Sequence, residues 1–278
     1  AEPETGRHGA AAGVAPMTAT VVLTQPASRA GSLAAVLASH GIAAVGWPMT
    51  EIDEAPGLDA GGLARALAGC RWALFASPAA IDVTMGALAR AGQCWPAGTG
   101  LGRIGPGSRD ALEGWDARLD GLAPAERIEP LAPPYDADAL LARPELATLD
   151  GVGVAVLRRA DGREAWLQAL HERGATLHAL SVYAARDTLP PAGASGWLAA
   201  AAAADAPVAF SIASADAGAR LAAFVRTLDC AAWALSRPVL TQHPRIAQAL
   251  RAQGWTRVTR HRPGAAGLVA AIESWHDA

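Results

Sequence analysis

Short apolar runs recur from Thr20 to the end of the chain, each closed by a hydroxyl residue, a glycine or a proline and followed by a longer amphipathic run. TVVLT (Thr20–Thr24) precedes SRAGSLAAVLASHG, in which Leu33, Val36, Leu37 and His40 share one helical face and Gly41 stops the run. RWALFAS (Arg71–Ser77) precedes a run opened by Pro78, a residue suited to the first helical position. LGRIG (Leu101–Gly105), GVAVLR (Gly153–Arg158), PVAFSI (Pro207–Ile212) and PVLTQ (Pro238–Gln242) read as further strands, each with a helical run after it. Strands buried on both faces lose polar alternation, and helical crossovers between them demand parallel pairing, so the pattern predicts parallel sheets in an α/β protein. About ten strands are too many for one small open sheet, which points to two domains.

Two extended stretches break the alternation, Trp47–Ile52 and Val182–Thr188. If both are crossovers, the chain leaves one domain early and returns late. The expected division is residues 17–46 plus 188–278 for the first domain and 51–183 for the second, with linkers at 47–50 and 184–187. Residues 1–16 are small, polar and aperiodic, without the apolar core of a secretory signal, and read as a disordered leader or tag.

Composition removes several function classes. The cations are all arginine, which excludes a Schiff-base lysine, a P-loop lysine and an S-x-x-K nucleophile. A net charge of −3 gives no reason to expect nucleic acid or an anionic membrane as partner. No apolar run has membrane-spanning length; the alanine-rich LAAAAAADAP (Leu198–Pro207) reads as a surface helix. Cys70, Cys94 and Cys230 are far apart and form no C-x-x-C, so they read as reduced, buried thiols of a cytosolic protein. The histidines form no H-x-x-x-H, and no metal site is expected.

GLGRIGPGSRDAL (Gly100–Leu112) satisfies G-x-G-x-x-G, but a dinucleotide fingerprint follows a strand and opens a helix. Here Gly100, Gly102 and Gly105 lie before and within the apolar strand run, and no acidic residue ends a second strand about twenty residues on. The informative part is the end. A strand stops at Gly105, Pro106-Gly107 turns, and Ser108 is expected to cap a helix whose free N–H groups favour an anion. The same construction recurs with Thr24 and Ser28, Ser77 and Pro78, Ser211 and Ser214, and Thr241, His243 and Arg245. Each turn alone is explained by capping. Together they suit a large polyanion.

These residues resemble the uroporphyrinogen-III synthase family over nearly the whole chain after Met17. VVLTQP is similar to the family's opening T-R-P segment, WALFASPAAI to its F-x-S-x-N-A-V, GRIGPGSRDAL to its V-G-x-x-T-A, and VAVLRRADGREAWLQALHERGATLHALSVY to its R-G-x-x-G-R…V-Y stretch. VAFSIASADAGARL, VLTQHPRIAQALRAQGW and GAAGLVAAIESW resemble the later segments in order. Gln25, Ala79, Arg159 and Ala160 depart from the family's arginine, asparagine, glycine and glutamate, while Ser108 keeps the hydroxyl of a frequent threonine.

The resemblance implies two parallel-sheet (flavodoxin-like or Rossmann-like) α/β domains joined by a two-stranded linker, with the active site in the cleft between them. It implies a cytoplasmic, monomeric lyase of haem biosynthesis that uses no cofactor or metal. The substrate would be hydroxymethylbilane, a linear tetrapyrrole rich in carboxylates, whose ring closes with inversion of the last pyrrole and loss of water. That is catalysis by positioning. Tyr183 would face substrate and assist departure of the hydroxyl as general acid. Thr24, Ser77, Pro78, Gly105, Gly107, Ser108, Arg158, Gly162, Arg163, Ser211, Ser214, His243 and Arg245 would bind carboxylates through amides, hydroxyls and guanidinium groups. Trp47 is the tryptophan expected nearest the cleft. The alternatives are a two-domain binder of a small polyanion without catalysis and a nucleotide-dependent α/β enzyme; the misplaced glycines and absent lysine count against the latter.

Overall fold

A computed structural model describes residues 19–117, 126–133, 135–160 and 165–276. The segment expected to be a leader (1–16), Gly162 and Arg163 all lie outside these residues. In chain order, β1 (Thr20–Leu23), α1 (Ala27–Ser39) and β2 (Ala43–Gly46) are followed by β3 (Thr50–Glu54), α2 (Ala60–Ala68), β4 (Trp72–Phe75) and α3 (Pro78–Arg90). Next come β5 (Gly100–Arg103), α4 (Pro106–Asp116), β6 (Arg127–Ile128), α5 (Ala137–Leu141), a 3-10 turn at Pro144–Leu146, β7 (Gly153–Arg159), α6 (Ala165–Glu172) and β8 (Thr176–Asp187). The chain ends with α7 (Ala194–Ala203), β9 (Val208–Ser211), α8 (Ala215–Val225), α9 (Ala231–Leu235), β10 (Pro238–Thr241), α10 (Pro244–Ala252), β11 (Arg257–Arg260) and α11 (Ala265–His276).

The chain divides into two compact units. Among the described residues, the first holds those up to 48, 189–260 and those from 271 on, and the second those within 49–188 and 261–270. The first unit's sheet has the order β11-β10-β9-β1-β2 with every pair parallel. Counted within the unit this is 2-1-3-4-5, the flavodoxin-like order. Its central strands VVL, VAFS and PVLT are wholly buried, as parallel strands covered on both faces must be. Phe210 on β9 meets Trp255 with ring centroids 5.2 Å apart.

The second unit's sheet has the order β3-β8-β7-β4-β5-β6. Its parallel strands, counted from β4, run 3-2-1-4-5, the Rossmann-like order. β3 joins the edge antiparallel, Thr50 opposite Asp187 and Glu54 opposite Tyr183. β4 divides the core: Ala73 and Phe75 face a cluster with Ile81, Met85 and Leu112, whereas Trp72 and Leu74 face one with Val154, Val156 and Leu170. The glycines of the opening motif belong to this packing. A Cβ at Gly100 would lie 2.4 Å from the Trp72 ring, and one at Gly102 would lie 2.4 Å from Leu74 Cδ2. Gly100 and Gly102 therefore leave room for β4's side chains.

Of the three thiols expected to be buried, only Cys70 is; Cys94 is exposed and Cys230 half-buried. Cys94 follows the end of α3 in a loop, and Cys230 lies just before the short α9, so neither is held on a core-facing stripe. Among the described residues no helix is long and apolar enough to cross a membrane.

Candidate active site

In each unit the strand order reverses at one strand pair, and in open α/β sheets ligands bind at the carboxyl ends of such a pair. In the first unit the pair is β1 and β9. Thr24, one residue past β1, is buried and donates its hydroxyl to the Ser211 carbonyl at 2.9 Å, while its amide reaches the same oxygen at 3.2 Å. Gln25 Nε2 donates to Ser211 Oγ at 2.9 Å. The glutamine that departs from the family's arginine thus ties the two strand ends together through a neutral amide. Ser214 caps α8 by accepting the Ala217 amide at 3.1 Å. His243 caps α10, its Nδ1 accepting the Arg245 amide at 3.2 Å, and both His243 and Arg245 are exposed. Thr241 is buried and its hydroxyl has no partner. Trp47 is buried and stacks edgewise on Trp197 at 5.4 Å between centroids.

Two of the expected caps are placed differently. Ser28 lies inside α1, exposed, because Pro26 takes the cap position without a side-chain bond. Ser108 lies two residues inside α4, not before it. Pro106 takes the first helical position, so the cap falls on Gly105, whose φ of 76° suits glycine alone. Ser108 is completely buried and its hydroxyl has no partner.

In the second unit the pair is β4 and β7. Ser77 caps α3, its Oγ accepting the Ala80 amide at 3.2 Å, and Pro78 occupies the first helical position. A Cβ on Gly107 would lie 3.3 Å from Pro78 Cγ, so the starts of α3 and α4 are in contact. Arg158 and Arg159 end β7. Tyr183 on β8 reaches across them: its phenol oxygen is 2.9 Å from Ser77 Oγ. An irregularity in the ladder aims it there. Arg158 pairs with Ser181 but Arg159 pairs with Tyr183, so Val182 is an extra residue on β8. Before this bulge Leu180 and Val182 face the α3 side; after it Tyr183 and Ala185 do. Strict alternation would have turned Tyr183 to the opposite face. Tyr183 is 8% exposed, and the Ala160 amide donates to its backbone carbonyl at 3.1 Å.

A group the sequence pattern did not single out closes one side of this edge. Arg103, the last residue of β5, is 7% exposed and pairs with Glu129 at 2.6 Å, and Arg109 of α4 takes the other Glu129 oxygen at 2.5 Å. Burial draws the Arg103 guanidinium below its ordinary value, and Glu129 opposes that shift. An arginine ending a strand of glycines and apolar residues was the available signal. Among the described residues no cluster of His, Cys, Asp and Glu is arranged to hold a metal ion.

The family model for uroporphyrinogen-III synthase HemD matches residues 31–270. The chain belongs to the uroporphyrinogen-III synthase family. No curated protein sequence matches it significantly. Among solved structures it is similar to a mutant uroporphyrinogen III synthase of Thermus thermophilus, with 20% identity over 94% of this chain and 100% of that one and a TM-score of 0.50. It is equally similar to the uroporphyrinogen-III synthetase of Helicobacter pylori, with 12% identity over 93% and 100% and a TM-score of 0.50. At these identities the likeness concerns the fold, and it covers both α/β units of the synthase.

Proposed function

We propose that this synthase-family chain closes hydroxymethylbilane to uroporphyrinogen III, inverting the terminal pyrrole and releasing water. Family membership supports the reaction, and the observation that carries the site assignment is the Tyr183 phenol held on Ser77 at the carboxyl edge of the second unit. Tyr183 donates its proton to the departing hydroxyl as the C–O bond breaks. The vacated carbon then bonds to the bridge-bearing carbon of the terminal pyrrole to give a spiro centre; the old bond from that carbon to its bridge breaks, the bridge carbon rejoins the ring at its unsubstituted α-carbon, and the proton lost from that α-carbon restores the phenol. The overall change is substrate to macrocycle plus one water, so the enzyme is a lyase.

Thr24, Ser211, Ser214, His243 and Arg245 in the first unit, and Ser77, Pro78, Gly105, Gly107 and Arg158 in the second, bind the substrate's carboxylates. Helix-terminal amides and hydroxyls suit that task because they carry no competing negative charge. The same role is assigned to Gly162 and Arg163 from the sequence resemblance. The polypeptide works as a cytoplasmic monomer without cofactor, membrane or nucleic-acid partner. The decisive assay supplies hydroxymethylbilane and separates the isomers. Predominant type III product is expected; type I product alone, at the spontaneous rate, would refute the reading. Light scattering of the purified protein tests the monomer.

A further inference from the structure

Ser77 does two things at once. Its Oγ accepts the Ala80 amide in the first turn of α3 and lies 2.9 Å from the Tyr183 phenol oxygen. A serine hydroxyl has one proton and two lone pairs. With one lone pair engaged by a helix-terminal N–H, the oxygen is polarised by the positive end of the α3 dipole, and its own proton becomes the better donor. The bulge at Val182 and the serine converge on the same result: one turns the tyrosine to the α3 face, the other fixes where its oxygen stops.

We propose that Ser77 is the positioning residue for Tyr183, donating its proton to the phenol oxygen so that the tyrosine's own proton is directed outward to the substrate. This rests on the reading of Tyr183 as the general acid. The hydroxyl matters here through its bond to the phenol, beyond any contact it makes with substrate. Ser77→Thr retains the interaction. Ser77→Gly removes it while keeping most of the capping, since glycine is itself a tolerated cap residue.

The test is a kinetic cycle with a spectroscopic arm. In the otherwise unaltered enzyme Ser77→Gly lowers kcat by about 3–10-fold, the effect of losing one oriented hydrogen bond, over and above any rise in KM from a lost substrate contact. Ser77→Thr restores kcat. In a Tyr183→Phe background Ser77→Gly produces no further loss, because the proton it directs is gone. The chain has two tyrosines, so Tyr135→Phe protein labelled with fluorotyrosine gives a single fluorine resonance from Tyr183. Ser77→Gly shifts that resonance and Ser77→Thr holds it. Equal losses in both tyrosine backgrounds, a rise in KM alone, or an unmoved resonance would overturn the proposal. An unaltered enzyme that forms no type III isomer would instead overturn the proposed function, and the catalytic meaning of the pair with it, whatever the resonance does.

Discussion

Gly102→Ala separates a packing role for the glycine motif from a ligand role. The added methyl would stand 2.4 Å from Leu74 Cδ2 and 3.3 Å from Ile128 Cγ1, inside a sheet with helices on both faces. Neither neighbour has free space, since Leu74 is fully buried and Ile128 nearly so. Inserting a methyl into such a core forces side chains off their rotamers or strands apart, at a cost of about 1–3 kcal/mol. For a unit of this size that lowers the melting midpoint by about 2–12 °C. The cost arises at one atom pair, so shortening Leu74 should relieve it: Gly102→Ala is expected to be milder in a Leu74→Val background, with a coupling of about 0.5–3 kcal/mol. Calorimetry or thermal circular dichroism of the single and double variants measures this. Product assays on the surviving folded protein should show KM close to the unaltered value. Unchanged melting, or an equal penalty in both backgrounds, would refute the packing argument. A rise in KM without loss of stability would return the glycines to a ligand.

Further outcomes follow from the same contacts. Tyr183→Phe removes the proposed acid and is expected to lower kcat by about 10²–10⁴-fold while circular dichroism is unchanged; a fall of less than twofold would exclude the role. Iodoacetamide at pH 8 should label exposed Cys94 first and Cys70 only on unfolding, because burial pushes the Cys70 thiol up and shields it; mass mapping reads the order. Burial holds the His261 imidazole below its ordinary value, against the opposing bond of its Nδ1 to the Arg262 carbonyl at 2.8 Å. The unfolded chain therefore takes up that proton first, and stability should fall as pH drops below about 6.5, levelling once the folded form is also protonated. His261→Gln should flatten that part of the melting-against-pH curve. Glu129→Gln should depress the second unit's midpoint more than Glu126→Gln, because Glu129 neutralises an arginine whose side chain is 9% exposed whereas Glu126 pairs with one 44% exposed.

What could be read before the structure depended on how local the cause is. VVL, WALF and VAFS betrayed parallel strands because burial on both faces leaves no polar alternation. Ser77 and Ser214 could be placed as caps because the donor and acceptor are three residues apart. Ser108 misled for an equally local reason: proline before it claims the first helical position, and a glycine able to hold a φ of 76° can start the helix earlier. The contacts that build the candidate site are of another kind. Ser77 and Tyr183 are 106 residues apart, and Gln25 and Ser211 are 186 apart. Each pair meets because a particular strand order brings particular strand ends together, and the run of elements along the chain fits more than one order. The bulge at Val182 is hidden further still. VYAA reads as one more alternating stretch, and only the pairing of Arg159 with Tyr183 reveals that the phase has slipped. A one-residue slip decides which face carries the tyrosine, and so whether its oxygen can reach Ser77 at all. Straightening the ladder with Val182 retained would turn the phenol toward the opposite core and abolish the hydrogen bond, whereas deleting Val182 should leave Tyr183 opposite Arg159 and on the α3 face, so the site's geometry depends as much on an irregularity in β8 as on the side chains that touch.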